Sequence, residues 1–526
     1  MKNTKKKLCV VLAAIMAVGV FAGCGDKNKQ TTADGKTKLT YVSPTTGPVK
    51  DDSLVEKELE KIFTDIDIEF LPLERETYQQ QLNTRIAGGD IPDIIYREWY
   101  SVVQEFAEQG IIRELPYNKV KEWAPKLVEE SMEYGADVWL ACYYEGKNYG
   151  LPFLQPNQNY SKTSTWRTDW LKNVGINKVP ETLEEYHEAF KRFTFNDPDK
   201  NGKNDTYGLT GSGKSSFPFG SILKAFGVGI FEADGKMISL EEKYNRERKA
   251  IETLAAWYKE GIIDPEFVTM DGATLKQKWS NSQTGFMCDG TWYRMMPGGE
   301  HYEALKTISP DAQFELGPAP VGPDGYHSYG AMQEGTGSIN SAITFSSALD
   351  DATLEKAVNF IYTLSSDEKV YTLAKYGIEG THWERKEDNL IQPIEPYNLQ
   401  TNCGDLGVNM FNVVYYALPS IQTSMNVSNI DEYTKYAKDA NVYNWQSWVN
   451  IFYGSAEDRV TDTGEFNSTT WYTNFVTGKL PVNDKTWQDY KNAASKQGKA
   501  EKIRAIHERI YKDEYPKIQA IIDNLK

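Results

Sequence analysis

The chain has 526 residues, with 74 acidic against 58 basic side chains and a formal charge of −16. That length suits two or three domains with a large core, and so acidic a body speaks against binding nucleic acid or anionic lipid headgroups through its overall field. Aromatic residues make up 13%, enough to fill cores and still offer ring faces to something flat such as a sugar.

The first 23 residues read as an address. Lys2, Lys5, Lys6 and Lys7 form a basic start, Leu8 to Val20 an apolar stretch, and Phe21-Ala22-Gly23-Cys24 a small-residue processing site. A membrane-spanning helix needs about 20 apolar residues, more than this stretch or any later one offers. With Cys24 directly after Ala-Gly, the segment resembles a bacterial lipoprotein signal, which implies a mature chain beginning at a lipid-bearing Cys24 on the extracytoplasmic face of the cell membrane. Its removal takes away four lysines and no acid, moving the formal charge from −16 to −20. Residues 24–38 are polar and without apolar period, as a flexible tether would be. Cys142, Cys288 and Cys403 are widely spaced, match no zinc pattern and are expected as buried free thiols.

In the folded body, strands are expected at 39–42 and 66–73 and a helix around Leu54–Ile62. Tyr78, Leu82 and Ile86 put an apolar stripe on a second helix. Gly88 and Gly89 end it, Pro92 suits a strand start, and Ile94, Ile95 and Tyr96 run apolar before Glu98, Trp99 and Tyr100 mix charge with aromatic surface. Strand, helix, strand, helix, strand implies an α/β lobe on a parallel sheet, whose strands deliver side chains to a cleft at their carboxyl ends. Helices then carry Trp123, Leu127 and Met132. The Pro-punctuated stretch 149–157, with Phe153 and Gln155, is where the chain is expected to cross to a second lobe, and 163–176 resumes a strand and a helix with Trp166 and Arg167.

Residues 195–209 hold the most specific local motif. Asp197, Asp199, Asn201, the carbonyl of Lys203 and Asp205 fall at positions 1, 3, 5, 7 and 9 of a loop with Gly202 at position 6, the oxygen spacing of an EF-hand-type calcium loop. Position 12 is Gly208 instead of a bidentate Glu. The bland reading is a metal-free Asp/Asn/Gly turn. Gly208, Gly213, Lys214 and Ser215 also match a phosphate-binding loop letter for letter, but Pro218 and Gly220 follow where the helix should start, so nucleotide binding is not expected; Phe217 and Phe219 are better placed facing the cleft.

Farther on, 249–267 reads as an amphipathic helix closed by Gly261, and 284–295 as a buried strand ending at Thr291-Trp292, with Arg294 just beyond. The Pro/Gly-rich stretch 315–325 is expected to cross back. Leu354, Val358, Ile361 and Tyr362 mark a helix leading to YGIEGTHW (376–383), which holds Glu379 and Trp383; beyond residue 400 the chain is helical and aromatic.

The strings FAGC, AGGDIPDII, WRTDWLKNVGI, DPDKNGKNDTYG, KEGIIDPEF, TGFMCDGTW and YGIEGTHW, in this order over nearly the whole mature chain, resemble the extracellular solute-binding proteins of bacterial ABC importers, family 1, of the LipO-like and alginate-binding-protein-like lipoprotein type. The resemblance implies an α/β, two-lobed periplasmic-binding-protein-like fold with a multi-strand hinge and a cleft between lobes. The first lobe would take 39–151 plus 318–400 and the second 152–317 plus 401–526. It implies an oligosaccharide in the cleft and a docking surface for membrane permeases, with no catalysis. Tyr96, Glu98 and Trp99 would line one wall and Trp166, Phe217 and Trp292 the other, with Glu379 and Trp383 near the hinge. Phe153, Gln155, Arg167 and Arg294 complete the expected ligand-binding set. Calcium would be held structurally by Asp197, Asp199, Asn201, Lys203 and Asp205; the alginate-binding relatives have an acidic residue where this chain has Thr206. The expected molecule is a monomer, with no nucleic-acid partner. Two other readings remain open on the residues alone: a secreted carbohydrate-active enzyme with paired carboxylates, and a peptide receptor on the same scaffold.

Overall fold

The computed structural model describes residues 31–45, 52–154, 162–214, 216–229, 232–233, 236–295, 299–328, 341–387, 391–395, 397, 406–408, 410, 417–424 and 466–525. Its first sheet starts as the sequence implies: β1 (Thr37–Thr45) pairs in parallel with both β2 (Ile66–Glu74) and β3 (Ile94–Trp99). Between β1 and β2, α1 (Leu54–Ile62) begins at a reciprocal cap in which Ser53 and Glu56 each accept the other's backbone N–H. Between β2 and β3, α2 (Tyr78–Ala87) buries Leu82 and reaches Gly88; Gly89 then adopts φ +82°, a turn that a side chain would strain. Asp93 ties the next strand to the first. Its Oδ2 accepts from both the N–H and the hydroxyl of Thr40 at 2.8 Å, and its own N–H donates to Thr40 Oγ1 at 2.8 Å. Burial holds this carboxyl above the ordinary range.

β4 (Gly150–Pro152) ends the first pass through this lobe. The second sheet is antiparallel throughout, with β5 (Lys162–Arg167) between β6 (Phe286–Thr291) and β7 (Phe314–Gly317). Its core is a nest of rings. Trp166 on β5 is fully buried; it meets Phe190 face to face at 5.4 Å, Tyr186 edge-on at 4.8 Å and Phe286 at 4.4 Å. Tyr186, Phe190 and Phe193 lie on one face of α3 (Leu183–Phe195), spaced so that a helix stacks them in register above the strand. Alongside, α4 (Leu240–Glu260) buries Ile251, Leu254 and Trp257 and stops at Gly261, φ +84°; it starts nine residues before the expected 249 because Ser239 caps Glu242 N–H there.

β8 (Ser341–Phe345) brings the chain back into the first sheet, where it is inserted antiparallel between β3 and β4 to give the order β2-β1-β3-β8-β4. The sheet is therefore mixed, not parallel as expected, because β8 arrives from the second lobe instead of from a crossover helix on the first. The fit is tight: a Cβ on Gly150 would stand 2.3 Å from the carbonyl oxygen of Ile343. On the outer side, α5 (Asp351–Ser366) buries Leu354, Val358 and Ile361, the expected stripe, with α6 (Glu368–Tyr376) following.

Two expected boundaries move. The stretch 315–325 does not leave the second lobe: Val321 exchanges backbone hydrogen bonds with the 181–183 segment, Tyr186 donates to the carbonyl of Pro318, and Arg246 lies over the Tyr326 ring. The tail, expected wholly in the second lobe, is shared. Tyr472, Phe475, Trp487 and Tyr490, on α7 (Ser468–Val476) and α8 (Asp484–Lys496), join the second core, whereas Ile506, Ile518, Ile522 and Leu525, on α9 (Ala500–Arg509) and α10 (Tyr515–Asn524), join the first. Tyr143 donates to Glu514 at 2.7 Å and fastens that end. The last helices thus form a strap from one core to the other. No helix among the described residues is long and apolar enough to cross a membrane.

Removing the centre of the ring nest by Trp166→Ala lowers folding stability by about 3–5 kcal/mol, the cost of a large buried ring, read as a shift in urea midpoint. His507 on the strap supplies an acid dependence. Burial, aided by Arg504, lowers its pKa to about 4 from 6.5, so below pH 6.5 the unfolded chain takes up a proton that the folded chain refuses. Stability at neutral pH is lost as pH falls from 6.5 toward 4, by up to about 3 kcal/mol from this group. Melting curves across that window become flatter in His507→Gln than in the native chain.

Candidate ligand-binding site

The strand pairings bring one set of ends together. At the carboxyl end of β3, Trp99 stands opposite Ser341, and Glu98 opposite Ala342, which in turn faces Pro152 at the end of β4. On the other lobe, Thr291 at the end of β6 pairs with Lys162 at the start of β5, and Trp292 begins the turn that follows. All these positions adjoin the two places where the chain passes between cores, after Leu154 and before Ser341. The backbone of Glu98, Trp99 and Trp292 thus stands at strand ends near those passages; their side chains, like Gln155, lie outside the described residues.

Five other expected ligand-binding residues are placed in the packing instead. Trp166 belongs to the ring nest. Tyr96 and Phe153 are buried in the first core and meet edge to face at 5.9 Å, and Tyr96 accepts at its carbonyl from Tyr78. Trp383 is buried, donating its indole N–H to the carbonyl of Gly377 at 2.9 Å, so it locks the 376–383 turn. Arg167 is spent in a fork to Asp169, at 2.8 and 2.6 Å, with a third hydrogen bond to Ser282, and it lies over Trp170. Each finds its partners within the protein: Trp166, Tyr96 and Phe153 among rings, Trp383 at the Gly377 carbonyl, and Arg167 at Asp169 and Ser282. The Arg-x-Asp spacing and the Tyr186/Phe190 stripe were the signals that pointed inward.

Accessible surface remains at three expected positions. Phe217 is half-buried, with edge contacts to Phe219 and Tyr472 at 5.5 Å, while Phe219 itself, expected at the cleft, is fully buried. Arg294 is exposed and pairs with Glu300 at 3.1 Å. Glu379 is exposed.

The loop 197–205 is built by left-handed backbone at Asp197 (φ 45°), Lys200 (φ 57°) and Gly202 (φ 77°), which curls its oxygens toward one another. The Asp197 carboxylate accepts from the N–H groups of Asn201 and Gly202, both at 3.1 Å, and Asn201 Nδ2 donates to Asp199 at 2.7 Å and to Asp205 at 3.2 Å. Burial, together with the neighbouring carboxylates of Asp197 and Asp205, pushes Asp199 above the ordinary range. Among the described residues no three His, Cys, Asp or Glu side chains are grouped as a metal site; here three carboxylates surround an amide, whose rotation would present Asn201 Oδ1 in place of its N–H₂. The residues thus suit a hard cation in chemistry. Thr206 is no ligand, since its hydroxyl donates to the carbonyl of Phe193 at 2.7 Å.

The phosphate-loop letters have another explanation. A Cβ on Gly208 would lie 2.2 Å from the carbonyl oxygen of Phe190, so glycine permits two backbones to touch, and Lys214 is exposed beside Asp271. Cys142 is a buried free thiol, with its pKa driven up by burial; the Cys288 side chain and Cys403 lie outside the described residues.

The lipoprotein LipO of Bacillus subtilis is 27% identical over 410 residues, 75% of this chain and 76% of that protein. The polygalacturonan/rhamnogalacturonan-binding protein YtcQ of the same organism is 26% identical over 407 residues, 74% and 76%. Among solved structures, the S. pneumoniae ABC-transporter substrate-binding protein FusA in complex with kestose covers 92% of this chain and all of its own at 18% identity and TM-score 0.64, and the alginate-binding protein AlgQ2 without calcium ion covers 90% and 97% at 16% and 0.60. These structures share the two-lobed fold. The model of the bacterial extracellular solute-binding protein family matches residues 44–365, from β1 through α5, and the chain belongs to that family.

Proposed function

We propose that this chain is the substrate-binding lipoprotein of an ABC importer, tethered through Cys24 outside the cell membrane, which captures an oligosaccharide between its lobes as a monomer and hands it to the permease. The observation that carries the reading is the family match through both lobes, joined to a relative, matched along 74% of this chain, that is named for binding polygalacturonan and rhamnogalacturonan. The anchor rests on the residues before Cys24 and on the lipoprotein name of a second relative. In this reading the first lobe is the body around β1–β4 and β8, the second the body around β5–β7, and Glu98, Trp99, Gln155, Phe217, Trp292, Arg294 and Glu379 meet the sugar. Ring stacking and a few hydrogen bonds to hydroxyls would hold it, and contact with both lobes would favour the closed form.

Asp197, Asp199, Asn201, Asp205 and the carbonyl of Lys203 would hold a structural calcium ion, which supplies positive charge to three crowded carboxylates. A FusA variant is named an EF-hand mutant, and the AlgQ2 structure is named as one without calcium ion. These are facts about related proteins that agree with this loop.

Calorimetric titration of the mature chain with kestose, neutral oligosaccharides and oligogalacturonides tests the reading. It expects saturable binding of at least one sugar with no product formed; a sugar consumed would favour the enzyme, and no sugar bound would turn the search to peptides. Trp292→Ala weakens that binding by about 2 kcal/mol, taking a stacked ring as an anchor, in a protein that melts at the native temperature; unchanged affinity would remove Trp292 from the site. Chelation by EGTA lowers the melting temperature of the native chain by mass action and leaves Asp199→Asn, already weakened in cation affinity, less affected. Equal melting with and without chelator would contradict a bound calcium.

A further inference from the structure

The fold leaves less free tether than the polar stretch 24–38 implies. β1 begins at Thr37, inside that stretch, and residues 31–36 are already folded against its start. Thr31 bridges Thr37 in the antiparallel sense. Between them the N–H of Thr32 donates to the carbonyl of Lys36 at 2.8 Å, the N–H of Gly35 to the carbonyl of Thr32 at 3.0 Å, and the N–H of Lys36 to Thr32 Oγ1 at 3.0 Å. Gly35 takes φ +87°, a conformation that a side chain would strain. None of residues 31–36 is fully buried, so this turn is a clip on the surface and not a part of the core.

The clip closes on the amino edge of the first sheet. There the N–H of Thr37 donates to the carbonyl of Asp65 at 2.9 Å, and Lys356 donates to Thr37 Oγ1 at 2.9 Å while pairing with the Asp65 carboxylate at 3.0 Å. β1 and β2 run parallel from Thr37 and Ile66 to Thr45 and Glu74, so the strand ends proposed to meet the sugar lie at the opposite edge. Nine residues of β1 at about 3.3 Å each set the two edges about 26 Å apart.

Covalent geometry then limits how far that amino edge can stand from a lipid on Cys24. From Cys24 to Thr31 there are seven residue steps, which span at most about 25 Å in any conformation and about 15 Å on average for a flexible chain. With the clip undone, the thirteen steps to Thr37 would span at most about 47 Å and on average about 20 Å. Charge has no large part in this, because Lys36, Lys38 and Lys356 already face Asp34, Glu69 and Asp65 at 4.0, 2.7 and 3.0 Å.

We propose that the 31–36 turn is a clip that shortens the leash, and that the amino edge of the first sheet is the face this receptor keeps toward the outer surface of the lipid bilayer, with the sugar-binding strand ends farther out. This rests on the lipid anchor at Cys24 and adds to it which face of the body lies toward the membrane.

Energy transfer to a short-range acceptor lipid tests it, in the lipidated full chain on phosphatidylcholine vesicles. A fluorescent unnatural amino acid is placed at Thr64, just before β2, or at Arg75, just after it; both are exposed. Transfer from position 64 exceeds transfer from position 75 by about twofold, and undoing the clip by Thr32→Ala with Gly35→Val lowers transfer from position 64 by about as much, following the longer mean span. Six Gly/Ser residues inserted after Lys29 lower it too. Melting stays at the native temperature in all three, since the clip lies outside the core. Equal or greater transfer from position 75 overturns the placement, as does an insertion without effect. An insertion that lowers transfer while the unclipped variant matches the native chain overturns the clip. A native chain that does not float with the vesicles, or a Cys24→Ala chain that floats equally well, overturns the anchor itself and the placement with it, an outcome distinct from the others.

Discussion

The architecture depends on one backbone insertion. β8 leaves the second lobe and pairs antiparallel with β3 on one side and β4 on the other, so strand hydrogen bonds, not a linker, hold the return of the chain in the middle of the first sheet. Because Ser341 sits opposite Trp99 and Ala342 opposite Pro152, that insertion aligns the two ends of the lobe from which the chain departs and to which it returns. A sugar bound there would touch both bodies beside their covalent connections, close to the axis about which they would turn.

Burial then decides which aromatic residues can serve a ligand. The chain is rich in rings, and the largest of them build the cores: Trp166 in its nest, Trp383 against the 376–383 turn, Tyr96 against Phe153. Rigidity of this kind is what a two-lobed receptor needs, since bodies that move as units let ligand contacts act on a single closing motion. The strap adds a further tie, joining α9 to both cores and fastening Glu514 to Tyr143.

Much of the fold was legible from periodicity and caps. The first three strands, the helix stripe at Leu354, Val358 and Ile361, and the glycine stop at Gly261 follow from local rules, and the family followed from motifs in order. The site was less legible. Whether Trp166 faces the cleft or the core is a matter of one residue of register, decided by α3, whose Tyr186 and Phe190 lie 20 or more positions away. Arg167, expected among the ligand-binding residues, has its donors taken by Asp169 and Ser282. The return crossing was misplaced because Pro and Gly mark irregular chain, not the body on which it lies; Gly322 is needed where its backbone presses on Ala225. The mixed direction of the first sheet could not be read locally, since β8 owes its direction to a partner almost 250 residues earlier in the chain.

Whether a sugar taken between the lobes draws them together is read by small-angle X-ray scattering of the mature chain with and without the tightest-binding oligosaccharide from the titration panel. Saturation is expected to give a smaller radius of gyration and a shorter maximum dimension at unchanged molecular mass. Identical scattering curves at saturation would contradict capture by lobe closure.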